Sequence, residues 1–323
     1  MRYRVFGRTG LRVSELLLGT MGFREERQAR EIVAAYADAG GNVLDTASAY
    51  GDGEELLGRV LVRRDRFVLA TKYTLSHDPA DPNASGNHRK NLVRSLDRSL
   101  RRLRTDHVDL LWVHVWDRHT PVEETLRALD DLVRAGKVLH LGFSDVPAWV
   151  VARANALAEW RGWTPFAGIQ VPYSLLRRDV ERELLPMAED LGLSVAAWAP
   201  LDRGRLAGGA QTSRVDTAGP AGRERAVLAV LHEVAAELGA TPARVALAWL
   251  RAASPAVLPL IGVSTVAQLA DNLGAAGLVL PEPARARLTA ATGFERGFPR
   301  DFIEECAQSS FVFGDSATKL DTW

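Results

Sequence analysis

Short apolar runs and longer amphipathic stretches alternate along this chain almost from end to end. The first two runs, residues 3–6 and 11–13, flank Gly7-Arg8-Thr9-Gly10 and predict a β-hairpin. Residues 16–18 form a third run, which ends in Gly19-Thr20-Met21-Gly22. Further strand-like runs lie at 42–44, 66–71, 108–113, 138–143, 167–171, 193–198 and 257–261. Between them, apolar residues recur at helical spacing over 25–39, 54–62, 91–103, 122–135, 147–160, 180–191, 223–238, 242–252, 266–273 and 283–292. Thr120-Pro121 and Gly136 punctuate the helix between them.

The runs are too uniformly apolar for a half-exposed antiparallel sheet, so they predict a parallel sheet with both faces covered. A doubly wound sheet would announce itself with Gly-x-Gly-x-x-Gly after its first strand, and GTMG stands there instead. Eight strand–helix units in a chain of 323 residues predict a closed (β/α)8 barrel, an α/β TIM barrel. One domain is expected over 1–323, with the hairpin at 1–14 and an irregular, aromatic tail at 293–323 lying over the pocket. The stretch 199–222 reads as a long loop rich in Gly, Arg and Asp.

Three successive runs deliver titratable groups at equivalent ends. The run 42–44 meets Asp45, 66–71 meets Lys72, and 108–113 meets His114; Tyr50 lies in the turn after the first. Singly, each has an ordinary explanation: a helix cap, a solvated amine, a satisfied core imidazole. Together they predict a site at the C-terminal rim of a barrel.

Composition narrows the rest. Lys plus Arg and Asp plus Glu each number 40, so no net field steers the chain toward nucleic acid or an acidic membrane. The arginines between 94 and 104 read as a solvated helix face. A single cysteine, Cys306, excludes a disulfide framework and a cysteine-rich metal centre, and no His pair has ligand spacing, so no metal is expected. Nothing near the start resembles a signal peptide, and no apolar run approaches the roughly 20 residues of a membrane span. The expected setting is the cytoplasm, as a monomer or weak homo-oligomer.

With these residues in place, the chain resembles the aldo-keto reductase family from the hairpin to the tail. DPNASGNHRKNL, GKVLHLGFSDVPAW and YSLLRRDVEREL are most similar to its aryl-alcohol-dehydrogenase-like bacterial branch. The resemblance implies a nicotinamide dinucleotide, usually NADP(H) with NADH possible, and a catalytic tetrad at Asp45, Tyr50, Lys72 and His114. It places Gly19, Thr20 and Met21 beside the nicotinamide and ribose, with Asp45 close by. Ser144, Asp145 and Gln170 are assigned to the carboxamide, although Asp145 replaces the commoner Asn and an ionised Asp has no side-chain donor. Tyr173 is assigned to stacking on the nicotinamide. Ala199, Pro200, Leu201, Gly204 and Leu206 match the pyrophosphate wrap, where backbone N–H groups suit an anion. Gly262, Ser264, Thr265, Gln268 and Asn272, within IGVSTVAQLADNL, match the adenosine-phosphate site. Ser264 stands where relatives often carry Arg or Lys, and a hydroxyl lacks the charged fork that grips a 2′-phosphate. The loop after Tyr50 is about two residues shorter than the family pattern.

The chemistry implied is reduction of a small-molecule carbonyl. Tyr50 is expected to give the proton, Lys72 to lower the phenol from its ordinary value near ~10, Asp45 to hold Lys72, and a neutral His114 to orient the substrate oxygen. Phe23, Tyr50, His114 and Trp116 are the candidate substrate contacts, with Trp198, Phe294, Phe298 and Phe302 also available for the rim. An aromatic rim suits aryl, terpenoid or polyketide carbonyls. Asp117, Arg118 and His119 keep keto-sugars open, and a slowly turning-over regulatory subunit and a metal-dependent barrel hydrolase are the alternatives from other classes.

Overall fold

The structure is a computed structural model describing residues 1–208 and 222–319. The hairpin pairs β1 (Tyr3–Val5) with β2 (Arg12–Ser14). Eight parallel strands follow: β3 (Leu17–Gly19), β4 (Val43–Asp45), β5 (Val68–Tyr73), β6 (Val108–Val113), β7 (Val138–Ser144), β8 (Phe166–Pro172), β9 (Ser194–Trp198) and β10 (Val257–Gly262). They close into a barrel in the order β10-β3-β4-β5-β6-β7-β8-β9, with helices in the connections, so the fold is a (β/α)8 barrel.

Strand alternation divides the core in two. Val43, Val68, Ala70, Leu110, Trp112 and Ala196 face the barrel axis, whereas Leu44, Leu69, Leu111, Val195 and Ala197 pack against the helices. The hairpin plugs the N-terminal end. Phe6 joins the axial cluster and meets Trp112 edge-on at 6.2 Å, and Gly7 N donates to Ser194 Oγ at 2.8 Å. Room for Trp112 comes from Gly142 on the neighbouring strand, where any Cβ would overlap the indole. That leaves the opposite end, where the strands finish, open for chemistry.

Two expectations differ from what is observed. The single helix read over 180–191 is a short turn at Asp179–Glu181 and a separate helix at Leu184–Asp190. Pro186 has no N–H and would clash with the preceding turn, so it is tolerated only near the start of a helix. The tail carries helices at Arg300–Gln308 and Ser310–Phe313 where an irregular segment was expected. It is tied to the turn before Leu184: Arg182 Nη2 donates to Glu295 O at 3.1 Å, and the Arg178 guanidinium lies 4.7 Å from the Phe294 ring centre. Residues 209–221 of the long loop and 320–323 of the tail lie outside the described residues. Among the described residues, no single helix is long and apolar enough to cross a membrane.

Candidate active site

Asp45, Lys72 and His114 meet because of register. Asp45 is the last residue of β4 and pairs with Ala70, two positions before Lys72 and therefore on the same axial face. Lys72 pairs with Trp112, two before His114. All three side chains thus rise from neighbouring strands into one rim.

Lys72 is 1% exposed and Asp45 2%. The Lys72 ammonium donates to Asp45 Oδ2 and, at 2.8 Å, to Thr46 O. Asp45 Oδ1 accepts from Gln170 Nε2 at 3.0 Å, across the barrel from β8. Burial disfavours the ammonium, but the Asp45 carboxylate and the Tyr50 phenol outweigh it, and the Lys72 pKa is raised. This lysine is therefore a fixed cation throughout the working range. Its Nζ lies 5.2 Å from the centre of the Tyr50 ring. The same ring meets His114 edge-on at 6.1 Å.

The Tyr50 pKa runs against the expectation. Burial pushes it up; Lys72 pulls down, Asp45 and Asp145 push up, and the net shift is upward. The phenol is thus held protonated rather than made acidic. His114 behaves as expected for a neutral donor: burial first and the Lys72 charge second push its pKa down to about 3. Its Nδ1 is buried with no hydrogen-bond partner.

The rim beyond these four is contiguous. Gly262 of β10 pairs with Gly19 of β3, and Gly19 pairs with Asp45. Thr20 N and Oγ1 both donate to Asp45 O, at 2.9 and 3.2 Å. Met21 is exposed, and Gly22 runs so close to Val263 that a Cβ would lie 2.8 Å from its carbonyl oxygen. From Gly262 the chain turns through Ser264 into the helix Val266–Leu273, capped by Thr265 Oγ1, which accepts from Gln268 N at 3.1 Å. Ser264 N donates to Gln268 Oε1 at 2.8 Å, and Asn272 is buried on the same helix. Ser144 is buried at the end of β7, beside Asp145 at φ 44°. The turn after β9 is compact: Ala199 has φ 49°, Gly204 N and Leu206 N both donate to Leu201 O, and Leu206 is buried. Pro200 has no N–H, so three of the five residues assigned to a backbone wrap have no free N–H in this conformation.

Two sequence assignments are overturned. Tyr173 continues the outward face of Ile169 and Val171; it is 1% exposed, donates to Glu181 Oε1 at 2.8 Å and packs 6.0 Å from Trp249. A ring locked in the helix layer cannot stack on a group at the mouth. Phe23 is 3% exposed and belongs to the same outer core, so it packs the fold rather than lining the rim. Trp116, by contrast, is half-buried at the mouth, its backbone N–H donating to Asp145 O at 3.4 Å.

Two further residues bear on the site: Trp198, already a candidate for the rim, and Arg102. Trp198 follows Ser194 and Ala196 on the axial face of β9, packs on the axial cluster and donates from Nε1 to Asp145 Oδ1 at 3.0 Å. Burial pushes the Asp145 carboxyl up, only partly offset by this bond. Arg102, read as part of a solvated face, has a side chain only 11% exposed. It donates to Gly51 O, to Ser48 O at 3.5 Å and to Glu55 Oε1 at 3.1 Å, and it pairs with Glu54 at 3.5 Å. Glu54 is buried and accepts from Thr71 Oγ1 at 2.7 Å. One arginine therefore ties the turn carrying Tyr50 to the strand carrying Lys72.

A family model described as the aldo/keto reductase family matches residues 15–292. The norsolorinic acid reductase stcV of Emericella nidulans is 40% identical over 325 aligned residues, covering 94% of this chain and 84% of that protein. The aryl-alcohol dehydrogenase (NADP+) of Phanerodontia chrysosporium is 35% identical, covering 97% and 91%. The uncharacterized oxidoreductase YrpG of Bacillus subtilis is 40% identical, covering 87% and 92%.

Proposed function

The chain belongs to the aldo/keto reductase family, and we propose that it is an NADP-dependent reductase turning an aldehyde or ketone into an alcohol, with Tyr50 as the proton donor. Membership makes it an oxidoreductase of nicotinamide chemistry. The observation that carries the finer reading is the buried ammonium of Lys72 lying between a carboxylate and the Tyr50 ring.

The residues present fit a dinucleotide. Gly262, Gly19 and Asp45 are register neighbours, so the rim offers an open track of small residues leading to the buried charge pair. The N-terminus of the helix Val266–Leu273, reached from Gly262 through Ser264, suits a phosphate. A nicotinamide held at the inner end of this track, beside Asp45 and Lys72, would supply the hydride for the carbonyl carbon. Gln170 and Ser144 would hold the carboxamide, with Trp198 replacing Tyr173 as the aromatic neighbour.

As hydride arrives, negative charge grows on the carbonyl oxygen. Tyr50 delivers its proton there, and a raised pKa does not forbid it, because an alkoxide is a much stronger base than a phenolate. What the step needs is a phenol that stays protonated until that moment and a cation that stabilises the phenolate afterwards. Burial provides the first and Lys72 the second. Asp45 keeps Lys72 charged and aimed. His114, neutral at any working pH, donates to the substrate oxygen without competing for its proton.

NADP preference is supported by the name of the Phanerodontia relative and by the helix N-terminus beside Ser264. Initial rates with NADPH and NADH at equal concentration, against an aldehyde panel, test the whole reading. NADPH-dependent turnover with higher kcat/KM than NADH is expected. Preference for NADH overturns the cofactor assignment, and no reduction of any carbonyl overturns the function.

A further inference from the structure

Trp116 lies two residues beyond His114, where the chain leaves β6 for the mouth. Its ring meets that of Trp149 edge-on at 5.5 Å. Trp149 is in the first turn of the helix Ala148–Arg161, directly after β7, and is 58% exposed. Two indoles at right angles form a corner in which a flat ring can stack on one and present its edge to the other. A ring placed in that corner would cover the exposed Trp149 and the half-buried Trp116 together.

A cation completes the corner. The Arg118 guanidinium carbon lies 5.8 Å from the centre of the Trp116 ring, and among the described residues Arg118 has no carboxylate partner. Stacking uses the face of a guanidinium and leaves its in-plane N–H groups for an anion. The adjacent Asp117 does not neutralise it. That carboxylate accepts from Asn87 N at 3.1 Å, Thr120 Oγ1 at 2.6 Å and His119 N at 2.8 Å, while Asp117 N donates to Asn87 Oδ1 at 2.7 Å. These bonds fasten the backbone of the 115–120 loop on either side of Trp116 and Arg118. They also occupy Asp117, which removes the main hydroxyl acceptor a keto-sugar would need. The other acid at the mouth, Asp145, is engaged by Trp198.

We propose that this mouth selects planar aromatic aldehydes or ketones bearing an acidic group, the ring held in the Trp116–Trp149 corner and the anion by Arg118. The proposal rests on the carbonyl-reductase reading and narrows its substrate class. NADPH is the reductant: hydride goes to the carbonyl carbon, the Tyr50 proton to its oxygen, and the acidic group is unchanged.

The test compares kcat/KM for 3- and 4-carboxybenzaldehyde with that for their methyl esters, in the wild-type protein, Arg118→Gln and Trp149→Ala. The wild type is expected to favour the acids. Arg118→Gln is expected to cut the acid-to-ester ratio about tenfold, the size of one ordinary charge-assisted hydrogen bond. Trp149→Ala should lower kcat/KM for acids and esters alike, leaving the ratio near its wild-type value. Wild-type preference for the esters, or an Arg118→Gln ratio equal to wild type, overturns the proposal while leaving the reductase intact. Absence of NADPH consumption with acids, esters and benzaldehyde alike would instead sink the reductase reading beneath it.

Discussion

Replacing Lys72 with methionine removes the ammonium while keeping most of its volume. At 5.2 Å from the Tyr50 ring centre, a unit charge acting on a phenolate at an effective dielectric near 20 is worth about 3 kcal/mol. At about 1.36 kcal/mol per decade, that is about two decades of phenolate stabilisation. Asp45 opposes it, but more weakly than Lys72 acts. The expected result is a fall in kcat of about a hundredfold, with cofactor affinity changed by less than about threefold, because the loss falls on the transition state. Stability complicates the single variant: it strands the Asp45 carboxylate in the core, at a cost of about 3–5 kcal/mol. The double variant Asp45→Asn with Lys72→Met removes both charges and recovers most of that loss. Turnover should be followed at saturating NADPH and substrate, cofactor binding by fluorescence quenching, and folding by urea midpoints. If the double variant folds, binds cofactor and keeps kcat within about fivefold of wild type, the ammonium is not what drives proton transfer.

Arg102→Ala is expected to loosen the turn bearing Tyr50 and lower kcat by at least about tenfold, since a displacement of about 1 Å at a reacting group costs that much or more. Arg102→Lys should restore part of it, and unchanged kcat in Arg102→Ala would show that the ties to Ser48, Gly51 and Glu54 are only decorative. Acid stability should carry the imprint of His114. Its folded pKa of about 3 lies below the ordinary value, so the stability it contributes is complete above pH ~6.5 and drains as pH falls toward 3, by about 1.36 kcal/mol per unit. Urea midpoints at pH 7 and pH 4.5 should differ less in His114→Asn than in wild type, and equal differences would refute the assignment. Gly58→Ala should also destabilise, because the added Cβ overlaps the carbonyl of Arg102 and the helix Gly53–Val60 cannot move off without shifting the Tyr50 turn. An unfolding free energy from urea titration within about 0.5 kcal/mol of wild type would contradict that packing.

How far the fold could be read from the chain depended on which residues carry a period. Apolar runs locate every barrel strand to within a residue or two, and the strand ends bring Asp45, Lys72 and His114 to one rim. Side-chain direction at the loops was less legible. The resemblance assigns Tyr173 to the mouth, yet the strand's own alternation sends it outward with Ile169 and Val171. The same alternation puts Trp198 inward after Ser194 and Ala196, in keeping with its place among the rim candidates. Arg102 is masked by its neighbours, since one arginine among the five between 94 and 104 looks solvated; the clue is Gly58, which allows its helix close against Arg102. The Tyr50 shift was invisible for a different reason. Burial of a turn residue depends on what folds over it, and desolvation here exceeds the field of one lysine that Asp45 partly opposes.

The most direct test is turnover by Tyr50→Phe, which deletes one oxygen from a ring otherwise held by His114 and Lys72. The account predicts that NADPH oxidation with a good aldehyde substrate falls by several orders of magnitude, while fluorescence titration shows NADPH binding close to wild type. Wild-type rates in a variant that folds and binds NADPH would place the proton donor elsewhere and contradict the mechanism.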